Sequence, residues 1–167
     1  MFDQFTERAR RVIFFARFEA SKTGSHAIST EHLLLGLMRE NMYLLPEFPP
    51  DSDLAAIRSE LFGQPPAEAV PTSVDMPLTE SAMRVLEHSA HERYSLKHDL
   101  VTSGHLLLGI LGEEESGACA VLKRYGVQRA DVITRMADSS REQGPSESGR
   151  RVGFPVVRRT NLATMPN

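Results

Sequence analysis

The chain repeats itself in register. Thr6-Glu7-Arg8-Ala9-Arg10-Arg11-Val12 returns as Thr79-Glu80-Ser81-Ala82-Met83-Arg84-Val85, and His32-Leu33-Leu34-Leu35-Gly36-Leu37 returns as His105-Leu106-Leu107-Leu108-Gly109-Ile110. Both echoes share one offset of 73 residues, so the residues between them align without a gap. Chance matches seldom share a register. Such self-similarity means two copies of one unit that bury their apolar faces together. The shared skeleton is Thr6, Ala9, Val12, His32 and Gly36 in the first copy, and Thr79, Ala82, Val85, His105 and Gly109 in the second.

Apolar residues recur at helical spacing throughout, and no segment reads as a strand. Thr6 is placed to cap a helix through Ala9, Val12, Ile13, Ala16 and Ala20, ended by Gly24. Phe14, Phe15 and Phe18 widen its apolar stripe, which predicts cover on two sides. Ser29 or Thr30 starts a helix with Leu33, Leu34, Leu37 and Met38. Gly36 and Gly109 lie inside helices, where glycine costs ~1 kcal/mol against alanine, so both positions predict close helix–helix approach. Pro46, Pro49 and Pro50 forbid a continuous helix after Asn41. Asp51 or Ser52 then opens a short helix through Leu54, Ile57, Leu61 and Phe62, closed by Gly63.

Residues 64–77 carry four prolines and read as an extended linker between repeat 1 (about 1–63) and repeat 2 (about 78–140). The second copy is fuller. Thr79 caps its first helix, Thr102 or Ser103 its second, and Ser116 a third ended by Gly126, before a fourth with Val132, Ile133 and Met136. The expected fold is all-α: a pseudo-twofold bundle of two four-helix-type units, seven or eight helices in all, with the third helix of the first unit degraded.

A hydrophobic fraction of 41% and a net charge of −3 describe an ordinary globular chain with no general attraction to nucleic acid. No apolar run approaches the ~20 residues of a membrane span, no signal-peptide pattern opens the chain, and Cys119 has no partner for an internal disulfide. These features read as a cytoplasmic protein. Residues 141–167 are rich in Gly, Ser and Pro and hold five arginines against two glutamates, which predicts a flexible basic tail, or an arm for an acidic partner. Gly153-Phe154-Pro155-Val156-Val157 is its one apolar piece.

Two copies of T-x-x-A-x-x-V, each followed by an H-L-L-L-G-[IL] string that the first copy extends to Ser29-Thr30-Glu31-His32, resemble the Clp repeat domain. The match is most similar to the N-terminal domain of ClpC-type ATPases and covers about residues 1–137. The resemblance implies a double helical repeat that receives substrates and adaptors. It also implies that Glu31, with Thr30 and Ser29, takes phosphoarginine: a carboxylate can grip a guanidinium by two parallel hydrogen bonds, and helix N-terminal amides can hold a phosphate. The plainer alternative is that Glu31 only favours the dipole of its own helix. Gly104 stands in Glu31's place in the second copy, Lys97 replaces a family glycine, and Met42-Tyr43-Leu44-Leu45-Pro46 replaces the family's G-E-G-x-A helix. No G-x-x-x-x-G-K-[ST] string is present, so the module is expected not to drive ATP hydrolysis itself.

His32 and His105 suit buried anchors of helix starts better than metal ligands or catalysts. His88 and His91 share a helix face and raise zinc binding with Glu87 or Glu92, yet Ser95 occupies the closing position of an H-E-x-x-H string. Cys119 reads as a small buried filler. Phe14, Phe15, Phe18, Tyr43, Phe48 and Phe62 are either core or the lining of a groove left by the missing helix, with Leu44, Leu45 and Phe48 available to repack it. No catalytic residue, metal or cofactor is expected. The sequence favours a non-enzymatic accessory, adaptor or substrate-recognition factor of a Clp chaperone–protease, partnering Clp components, adaptors and clients, with no nucleic acid and no membrane. A phosphoarginine or degron reader and a structural paralogue without ligand are the alternatives.

Overall fold

The structure, a computed structural model, describes residues 2–49, 52–64 and 68–142. Among them stand seven α-helices: α1 (Glu7–Lys22), α2 (Thr30–Glu40), α3 (Leu54–Phe62), α4 (Glu80–Ser95), α5 (Ser103–Gly112), α6 (Gly117–Arg124) and α7 (Arg129–Glu142). A single 3-10 turn, Met42–Leu44, occupies the place that α6 holds in the second unit. Pro46 and Pro49 explain the loss, since neither can donate to a helix ladder there. Apart from its first residues in α7, the basic tail expected beyond 140 lies outside the described residues.

The two copies match bond for bond where local chemistry fixes them. Thr6 Oγ1 accepts from the Ala9 amide and Thr79 Oγ1 from the Ala82 amide, both at 3.2 Å. The amides of Ser29 and Thr102 donate to Nδ1 of His32 and His105, at 3.0 and 2.8 Å, so each histidine completes a capping box. Arg11 pairs with Glu40 and Glu7 as Arg84 pairs with Glu113 and Glu80.

The units clasp each other reciprocally. The Thr6 amide donates to Val101 O and the Thr79 amide to Ile28 O, both at 2.9 Å. Val101 N–H donates to Gln4 O and Ile28 N–H to Pro77 O. These bonds form two isolated parallel bridges, Phe5 with Val101 and Leu78 with Ile28, that exchange under the pseudo-twofold. The contact is isologous in the sense of a twofold dimer, here closed within one chain. Around it pack Val12, Leu34, Leu35, Val85, Leu107 and Leu108, all buried.

Three expectations shift. Phe14 is 66% exposed, so the second cover of α1 does not reach this ring of the widened stripe. The cap of α3 is Asp53, whose carboxylate accepts from the Ala55 amide at 2.8 Å, rather than Asp51 or Ser52. Residues 68–77 turn at 71–74, where the Val74 amide donates to Pro71 O, and they are not free. The Val70 amide donates to Ser21 O, and Arg17 donates to the Thr72 and Val74 carbonyls at 2.7 and 2.8 Å, which straps this segment along α1.

After α1 and α4 the chain turns through left-handed backbone, with φ of 70° at Gly24 and 56° at Lys97. A left-handed non-glycine residue costs roughly 1–2 kcal/mol, and glycine returns about half of that as unfolded-state entropy. Lys97→Gly is therefore expected to raise stability by about 0.5–1 kcal/mol in urea unfolding. Gly24→Lys should lower it by a similar amount.

Candidate interaction site

Glu31 lies in the first turn of α2, after the cap Ser29 and the first helical residue Thr30. Its Oε2 accepts from the Thr30 hydroxyl at 2.9 Å, and its Oε1 accepts from the Gly117 amide at 3.0 Å. Gly117 is the first residue of α6, so one carboxylate binds the N-terminal ends of two helices from opposite units. Burial pushes the Glu31 carboxyl up, but the amides of Glu31 and Gly117 and the hydroxyls of Ser29 and Thr30 hold it below the usual carboxylate range. The result is a half-buried, ionised group at a positive dipole end. A Cβ at position 117 would stand 2.8 Å from Oε1, so glycine is what lets the carboxylate reach the amide.

The second unit has no such carboxylate. Gly104 takes the corresponding place, and the Met136 side chain fills the space where a Cβ would sit, within 2.5 Å. Beside it a cleft of about 510 Å³ opens between the N-terminal ends of α1 and α5, lined by Thr6, Tyr43, Leu44, His98, Ser103 and Met136 among others. The missing helix is only partly replaced. Leu44, Leu45 and Phe48 are buried and Phe48 stacks on Tyr125 at 4.2 Å, while Tyr43 remains 60% exposed. Arg135 of α7 donates to Leu44 O at 3.2 Å and pairs with Glu47, which pins the turn.

His32 and His105 are both buried, and burial lowers each imidazole from 6.5 to about 4. With Nδ1 accepting from a cap amide, the proton sits on Nε2. From there His32 donates to Thr23 Oγ1 at 2.7 Å and His105 to His98 Nδ1 at 2.9 Å. Phe62 stacks on the His32 ring at 4.5 Å. His88 approaches Glu113 at 3.9 Å, and among the described residues no group of three or more His, Cys, Asp or Glu is placed to hold a metal. Cys119 is buried, its thiol pushed up by burial and directed at Leu111 O.

Glu31's bond to Gly117 spans 86 residues; the family resemblance and the internal alignment, which sets Glu31 against Gly104, single the residue out beforehand, but neither points to Gly117 as its partner. The exposed faces of α1 carried no comparable signal in the periodicity.

A double helical repeat closed by a reciprocal backbone clasp, with asymmetric surfaces on its two halves, defines the class. The chain belongs to the Clp repeat N-terminal domain family, whose model matches residues 3–48 and 77–156. It is 35% identical over 159 residues to the tomato (Solanum lycopersicum) chloroplastic "ATP-dependent Clp protease ATP-binding subunit ClpA homolog CD4B", covering 92% of this chain and 17% of that protein. It is 35% identical over 138 residues to the chloroplastic chaperone protein ClpC1 of Arabidopsis thaliana, covering 81% of this chain and 15% of that protein. The chain thus spans about one sixth of the length of these relatives.

Among solved structures, the N-terminal domain of the chaperone ClpD from Arabidopsis thaliana superposes with a TM-score of 0.67 at 30% identity, over 82% of this chain and 97% of that domain. The Hsp104 N-terminal domain of Candida albicans superposes with a TM-score of 0.62 at 16% identity, over 82% of this chain and 91% of that domain, a likeness of fold alone. The family supports a Clp-system interaction module. Its named relatives are chloroplastic, and no helix among the described residues is long and apolar enough to cross a membrane.

Proposed function

We propose that this chain is a non-enzymatic accessory or adaptor that presents substrates or adaptor proteins to a Clp ATP-dependent chaperone–protease, working in the cytoplasm as repeat 1, linker and repeat 2 followed by a basic tail. The observation that carries the reading is the extent of the match: 92% of the chain aligns with a Clp ATPase subunit, in the stretch that folds as a separate N-terminal domain in ClpD. The test is affinity capture with the full chain, using purified Clp ATPase, followed by competition with that ATPase's own N-terminal domain. Recovery of the ATPase and its displacement by excess domain are expected. Absence of any Clp component under low salt overturns the reading.

A second reading has its own support. The ionised Glu31 at the meeting of two helix N-termini offers a carboxylate for a guanidinium beside amides for a phosphate. Backbone amide NMR titration with free phosphoarginine is expected to shift signals from Ser29 to His32, and Glu31→Ala to abolish those shifts. Because Glu31 also caps α6, the same variant is expected to lose about 1 kcal/mol of stability. Loss of stability without any wild-type shift at millimolar ligand leaves Glu31 a cap alone.

A further inference from the structure

The pseudo-twofold supplies an internal control for surface residues: whatever the fold requires of one unit, it requires of the other. On α1, Arg10, Phe14 and Arg17 follow one another at helical spacing, with Phe18 and Lys22 continuing the stripe over ~18 Å. The equivalent positions of α4 are Met83, Glu87, Ala90, His91 and Ser95. The fold accepts an exposed glutamate at position 87, so it does not require the phenylalanine at position 14. The stripe belongs to the first unit's surface and not to its architecture.

The stripe is cationic without being neutralised. Among the described residues Arg10 donates to Phe2 O, Arg17 donates to Thr72 O and Val74 O, and Lys22 rests over the Phe18 ring at 4.6 Å. None of the three meets a carboxylate there. Arg39 of α2, itself ion-paired with the buried Glu19 at 3.2 Å, lays its guanidinium over Phe15 and Phe18 at 5.2 and 4.8 Å. Those two rings are thereby half-covered by cations, whereas Phe14 stands clear, 66% exposed and edge-on to Phe15 at 5.7 Å. A chain with a formal charge of −3 has thus gathered positive charge around one bare aromatic ring.

From this arrangement we infer that the outer face of α1 docks an acidic peptide segment carrying an aliphatic or aromatic anchor. The inference deepens the interaction-module reading by naming the chemistry of the partner. Carboxylates on the segment answer Arg10 and Lys22, Arg17 adds its charge from the Thr72 and Val74 carbonyls it holds, and the segment's apolar side chain covers Phe14. Charge complementarity sets the orientation and the rate of encounter, and the single ring supplies the desolvated contact. One proud ring flanked by covered ones suits a peptide better than a bilayer, which rewards several apolar side chains inserted side by side.

The test uses the full chain and a fluorescein-labelled peptide of alternating glutamate and leucine, read by anisotropy. The same peptide with lysine for glutamate, phosphatidylserine vesicles and size-exclusion chromatography run in parallel. The variant Phe14→Glu/Lys22→Ser installs the residues that the second unit carries at the same positions, so its circular dichroism should be unchanged and its melting nearly so. Wild type is expected to bind the acidic peptide and not the basic one, and the variant to bind at least about tenfold more weakly at low salt. Equal binding by wild type and variant overturns the inference, as does binding to vesicles alone, or self-association that the variant abolishes. Recovery of Clp ATPase by the same samples separates the two readings. If the ATPase is captured without peptide binding, only this docking face fails; peptide binding without capture of the ATPase fails only the Clp assignment.

Discussion

Acidification from pH 6.5 to 4 is expected to remove about 5 kcal/mol of folding stability, a large share of what a typical domain has. Its source is the pair His32 and His105, each buried and each with an imidazole lowered from 6.5 to about 4. A depressed histidine is neutral in the fold but takes a proton readily once the chain unfolds. Between the two values the unfolded state binds more protons, so stability falls as pH falls. Above the unfolded value the contribution is complete, and each ring supplies about 3 kcal/mol. Both Nδ1 atoms accept from cap amides, so a proton there must also break the start of α2 or α5. Urea midpoints measured across the window should drop steadily and be flat above it. Glutamine at these positions can still reach the cap amide but does not titrate. His32→Gln and His105→Gln should therefore each remove about half of the slope. A urea midpoint that does not change across the window would rule the account out.

What the sequence disclosed follows from the range of each interaction. Thr6, Thr79 and Ser116 announce their helices because a cap closes within three residues, and the structure sets their hydroxyls on the amides of Ala9, Ala82 and Cys119. Pro46 and Pro49 disclosed the missing helix for the same local reason. The clasp between Phe5 and Val101, and its counterpart at Ile28 and Leu78, was hidden. Backbone bonds between units carry no side-chain pattern, although the offset of 73 residues demanded some symmetric contact. Glu31's hold on the α6 terminus was hidden too, because periodicity describes one helix at a time. The same limit misread Phe14. A wide apolar stripe predicts burial when every apolar residue is assigned to the core, and here one ring belongs to the surface.

Gly36→Ala is expected to destabilise the fold by about 2–3 kcal/mol. On helix propensity alone the change should help by ~1 kcal/mol. Packing decides otherwise. A Cβ at position 36 would lie 2.3 Å from the Val12 carbonyl oxygen, 2.8 Å from the Ala16 nitrogen and 3.2 Å from its Cα. All three are backbone atoms of α1, so no rotamer change relieves them and the two helices must separate. Separation opens voids along Val12, Ala16, Leu33 and Leu37, which are buried against one another. At Gly109 the nearest atoms are the Ser89 hydroxyl at 2.4 Å and the Val85 carbonyl oxygen at 2.5 Å. One of these can rotate away and the other cannot, so Gly109→Ala is expected to cost less than Gly36→Ala while still destabilising. Adding Ser89→Ala to Gly109→Ala should recover part of the loss, and Ala16 already offers no side chain to trim in the first unit. Chemical denaturation of the three variants orders them, and a Gly36→Ala protein as stable as wild type would show that the helices do not meet at this glycine.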